Sequence, residues 1–61
     1  MKMNQEMLIN KDNASSAAKA GAAMIDSVSA KNVDWEAVIV ELQAAVKYAK
    51  RAAALYRREF N

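Results

Sequence analysis

Five cations, Lys47, Lys50, Arg51, Arg57 and Arg58, crowd the C-terminal third of the chain, interleaved with Tyr48 and Tyr56. Spacings of three, four and seven set them along the solvent side of the last turns of a helix. A row of this kind can hold phosphates, and a tyrosine ring within it can stack on a base. The chemistry it offers is binding of an anionic ligand, either nucleic acid or a nucleotide. A plainer reading competes with that one. Positive side chains near a helix C-terminus complement the helix dipole and keep the outer face solvated. An acidic protein partner would also match the row.

Catalysis finds no support. The chain has no His and no Cys, which removes the usual general base, the commonest metal ligand, disulfides and thiol chemistry. Glu36 and Glu41 lie five residues apart and Asp26 belongs to a different segment. No carboxylate pair is therefore set up for proton transfer or for an oxygen-ligated metal. Ser15, Ser16, Ser27 and Ser29 have no His to activate them. The expectation is a non-enzyme with no cofactor and no metal.

From Asp34 to Phe60 the sequence has neither Gly nor Pro. Trp35, Val38, Ile39, Leu42, Val46, Tyr56 and Phe60, with alanines between, recur at the spacing that gathers side chains on one helical face. Asp34 is placed to cap this helix, and Val33 and Val38 flank the cap as a hydrophobic staple. The pattern predicts a helix over residues 35–59. Its rows repeat every seven residues: Trp35, Leu42, Ala49 and Tyr56 form one, Val38, Ala45 and Ala52 another, Ile39, Val46, Ala53 and Phe60 a third. Adjacent rows of this type let one helix touch two partner helices. Tyr48 and Leu55 fall outside that stripe and mark a second contact face.

Before it, Asp12 or Asn13 can cap a first helix over residues 13–30. Its seam reads Ala14, Ala18, Gly21, Ile25 and Val28, small at first, so another helix can approach closely. Gly21 costs about 1 kcal/mol against Ala in a helix interior, which points to a packing reason. The short connection Lys31-Asn32-Val33-Asp34 makes the two helices antiparallel neighbours, with Asn32 suited to a left-handed helix end. Residues 1–11 form an N-terminal arm, apolar at Met3, Met7, Leu8 and Ile9, that docks on the bundle. By length the second helix overhangs the first by about two turns.

Charge and size bound the rest. The net charge of +2 hides an asymmetry, because residues 42–61 carry five basic groups and one acidic. Hydrophobic residues make up 54% of the chain, much of that alanine, and no apolar run approaches the roughly 18 residues of a membrane span. The N-terminal residues lack a signal peptide's apolar stretch. The expectation is a soluble, cytoplasmic protein. Membrane binding is disfavoured, since the cations cluster at one end of the amphipathic helix.

A chain of 61 residues is near the lower limit for a core that folds unaided, and without disulfides or metal the remaining support is oligomerisation. The sequence predicts an all-α antiparallel hairpin with a short N-terminal arm or helix, assembling as a homo-oligomer, most simply a dimeric four-helix bundle. Trp35, Val38, Ile39, Leu42, Val46, Tyr56 and Phe60 are its expected oligomer core. The expected role is that of a regulator, inhibitor or assembly factor acting on a larger protein through Tyr48, Arg51, Leu55 and Arg58. Small helical accessory factors of phages and plasmids fit this size and type. The alternative is an anion binder using Lys47, Lys50, Arg51, Arg57 and Arg58.

Overall fold

The computed structural model describes residues 5–60. Helix α1 spans Gln5–Asp26, a single 3-10 turn covers Ala30–Asn32, and helix α2 spans Trp35–Phe60. No strand occurs among the described residues. The two helices pack along each other as an antiparallel hairpin with extents of 47 × 15 × 13 Å. The expected all-helical hairpin is what forms.

The first helix starts much earlier than residue 13. Residues 5–11 of the expected arm belong to α1, while Met3 and the rest of residues 1–4 lie outside the described residues. Asp12 and Asn13 are exposed interior positions, not caps. Each costs at most about 0.7 kcal/mol against Ala there. Continuing the helix through them buries Met7, a gain of about 1.5–3 kcal/mol that outweighs that cost. Met7, Asn10, Ala14, Ala17, Gly21 and Met24 alternate by three and four, and all are buried or half-buried. This is the seam that faces α2. It shares Ala14 and Gly21 with the expected one, whereas Ala18 is exposed.

α1 stops at Asp26, so Val28 lies in the connection and is exposed. The stretch Ser27-Val28-Ser29 explains the stop: serines compete for backbone hydrogen bonds and a β-branched Val is a weak helix former. The Ser27 amide donates the closing bond to the Ala23 carbonyl at 3.1 Å. Asn32 is not left-handed, for no described non-glycine residue has positive φ. The chain reverses by extended backbone at Ser29 and Val33 on either side of the 3-10 turn. The Asn32 amide donates to the Ser29 carbonyl at 2.8 Å and its Nδ2 to the Ser29 Oγ at 3.1 Å, clamping the turn twice.

The start of α2 follows the expected design. The Ala37 amide donates to Asp34 Oδ1 at 3.2 Å, the geometry of an N-cap. Val33 is 8% exposed and Val38 2%, so both halves of the staple are in place. Further along, a Cβ built on Gly21 would stand 2.9 Å from Leu42 Cδ2 and 3.7 Å from Glu41 Cβ. The glycine lets α2 come close at this point, which is the packing reason its helix cost implied. Carried back along the antiparallel pair, this register sets Met7 level with Leu55 and Tyr56. α1 and α2 are 22 and 26 residues long, so the expected two-turn overhang of α2 is largely gone.

Candidate functional site

Which side of α2 turns inward is the structure's main correction to the sequence pattern. The face packed on α1 carries Val38 and Leu55, both buried, with Glu41, Ala45, Tyr48, Ala52 and Glu59 half-buried. Trp35, Ile39, Leu42, Val46, Tyr56 and Phe60 look outward, exposed by between 39% (Phe60) and 56% (Tyr56). At 100° per residue the two faces lie about 110° apart around the helix. From the N-terminal half of the stripe only Val38 and Ala45 pack on α1, while Trp35, Ile39 and Val46 face away and Leu42 reaches across to Gly21. Among the expected oligomer-core residues, Val38 serves the hairpin's own seam and the other six share the outward row.

This row is a continuous apolar ridge along the whole of α2. The Tyr56 and Phe60 rings, centroids 4.8 Å apart and tilted by 34°, reinforce one another at its C-terminal end. Trp35 closes the other end. Scattered exposed apolar side chains are ordinary, but here they form a row repeating every three and four residues along one helix.

Residues expected to meet a larger partner divide. Leu55 is 7% exposed and Tyr48 half-buried, so the pair stands in the hairpin seam and offers no second contact face. The physical reason is register: Leu55 falls level with Met7 of the helical arm, which the shorter expected α1 would have left uncovered. Arg51 and Arg58 are exposed. With Lys47 and the exposed Val40 they form a ridge on the side of α2 away from both apolar faces.

The cationic row is present as expected, with Lys47, Lys50, Arg51, Arg57 and Arg58 all exposed. Gln43, Val46, Lys47, Lys50 and Arg51 border a shallow surface depression. Its tyrosines are differently engaged. The Arg51 guanidinium carbon lies 5.6 Å from the Tyr48 ring centre and Lys47 Nζ 5.9 Å from it, within cation–π range. Tyr56 is paired with Phe60 in the outward row. The row therefore presents charge suited to an anion, with both rings already occupied by neighbours.

One polar residue had no signal that composition could give. Asn10 is 6% exposed and donates from Nδ2 to the Glu6 carbonyl at 2.9 Å. Its place three residues after Met7 and four before Ala14, on the seam rhythm, is the clue that the pattern carried. Among the described residues no His, Cys, Asp or Glu cluster is arranged to hold a metal, and no helix is long and apolar enough to cross a membrane. No protein-family model matches the chain, and neither a curated protein nor a solved structure does.

Proposed function

We propose that this chain is a non-enzymatic interaction protein that self-associates through the outward row of α2 and regulates, inhibits or assembles a larger protein. The observation that supports it is the uninterrupted apolar ridge from Trp35 to Phe60, left exposed although the hairpin has closed its own seam. Burying a side chain such as Ile39 or Val46 contributes about 1.5–3 kcal/mol. A hairpin this small gains by covering them, and a dimeric four-helix bundle is the simplest way. The ridge of Val40, Lys47, Arg51 and Arg58 stays on the outside of such a bundle and is the surface for the larger partner. Nothing in the residue inventory calls for a cofactor, and the proposed setting is the cytoplasm.

A second reading rests on the exposure of all five cations beside the depression at Lys47, Lys50 and Arg51. In that reading the outer face takes an anion, nucleic acid or nucleotide. Co-expression of tagged and untagged copies separates the possibilities. The proposed function requires the untagged copy to co-purify with the tagged one, together with a partner protein that survives nuclease and high salt. An associated molecule lost on nuclease treatment, or progressively as salt rises, would move the assignment to the anion reading. Recovery of the tagged chain alone, with no untagged copy, would contradict self-association.

A further inference from the structure

We infer that the second copy lays its own α2 antiparallel on the outward row, with Leu42 opposite Ala53 and Val46 opposite Ala49 of the second copy. The inference rests on the self-association proposed above and adds the direction and register of the contact. Two independent features of α2 lead to it.

The first is volume. The outward row is large at Trp35, Ile39, Leu42 and Val46, small at Ala49 and Ala53, and large again at Tyr56 and Phe60. Pairing the row with itself in reverse sets each of Leu42 and Val46 against an alanine. The ends then join Ile39 to Tyr56 and Trp35 to Phe60. Knobs of unequal size interdigitate across such a seam and fill it. A parallel pairing would put Ala49 and Ala53 against their own copies, leaving a void at mid-helix, and crowd Trp35 on Trp35.

The second is charge. Glu36, Gln43, Lys50 and Arg57 are all exposed and follow one another every seven residues along one flank of the outward row. In the antiparallel register Glu36 of one copy falls within about 3 Å of axial level with Arg57 of the other, and Gln43 likewise with Lys50. Two-fold symmetry makes each pair twice. A parallel dimer would instead put the two copies of this flank on opposite sides of the seam, so neither pair would form. Flanking charges of this kind set the orientation of paired helices.

Because the chain has no Cys, single engineered cysteines report the register cleanly. Leu42→Cys and Ala53→Cys are purified separately, then mixed and oxidised. In the inferred register each position lies eleven residues from its own copy, about 16 Å along the axis, so neither variant cross-links to itself. The mixture forms a mixed disulfide, because the two positions face each other within the roughly 7 Å that a disulfide can span. Self-cross-linking by each variant alone would mean a parallel seam and overturn the inference while leaving self-association intact. A dimer by light scattering with no cross-link in any mixture would overturn it too. A monomer throughout would overturn the self-association itself. A charge swap guards against damage by the cysteines at Leu42 or Ala53. Glu36→Arg and Arg57→Glu each weaken the dimer roughly fivefold, and the double variant restores it to within about twofold. Failure of the double variant to restore would contradict the pairing.

Discussion

The two faces of α2 invert the usual relation between hydrophobicity and burial. The face against α1 is built from Val38, Leu55, Tyr48, two alanines and two glutamates, whereas the outward face holds Trp35, Ile39, Leu42, Val46, Tyr56 and Phe60. The middle of the α1 seam is small, and Ala14, Ala17 and Gly21 let the helices approach closely there. Bulkier residues would hold the pair apart. The closed hairpin thus leaves most of the large apolar side chains of α2 exposed. The difference assigns hairpin formation to the inner seam and, under the proposed function, self-association to the outer row.

Substitutions on the two faces should separate these roles. Leu55→Ala, which empties the inner seam beside Met7, is expected to cost about 3 kcal/mol of stability and to lower the melting temperature at every protein concentration. Thermal unfolding followed by far-UV circular dichroism checks this. A loss under about 0.5 kcal/mol would mean that Leu55 is not a seam residue in solution. Val46→Asp, on the outer row, should weaken self-association roughly 100-fold, since it would bury a charge where an apolar contact was. The helix signal of the dissociated hairpin should remain, and the melting temperature should lose its dependence on concentration. If Val46→Asp instead unfolds the chain at all concentrations, the faces are not independent.

Gly21→Val tests the point where the faces meet. The added methyls run into Leu42, which belongs to the outward row yet rests on Gly21. Overpacking there should destabilise the hairpin by about 2 kcal/mol and shift Leu42 outward, weakening both contacts together. Urea titration and sedimentation on the same sample would show whether the two losses coincide. Asp34→Ala should have the smallest effect, about 1 kcal/mol, through loss of the bond from the Ala37 amide. Hydrogen exchange should show faster opening of the first turn of α2 with the rest unchanged. A uniform acceleration along the helix would contradict a purely local cap.

Much of this architecture is legible in the residues. Asp34, the staple at Val33 and Val38, and the absence of Gly or Pro beyond them mark α2 within one residue of its observed end. Gly21 likewise announces a close approach, which Leu42 makes. The start of α1 is not legible, because Asp12 and Asn13 are good caps and nothing local tells that Met7 and Asn10 will be covered by α2. The choice of inward face is hidden for a related reason. Rows repeating every seven residues lie side by side on α2, and pattern strength ranks them by hydrophobicity. The complementary surface of α1 selects by size, which the α2 sequence alone does not record. For the candidate site, the exposed cations are legible from their spacing. That Arg51 reaches Tyr48 follows from the i, i+3 spacing within α2, whereas the burial of Leu55 in the seam depends on a register visible only in the folded pair.

The central claim is that the outward row of α2 exists to be covered by a second copy. Multi-angle light scattering on a sizing column, with the wild-type chain injected over a wide concentration range, tests it most directly. The account predicts a mass twice that of the 6.7 kDa chain at high concentration, falling toward the single-chain value on dilution. A helical species that stays at 6.7 kDa over the whole range would contradict it.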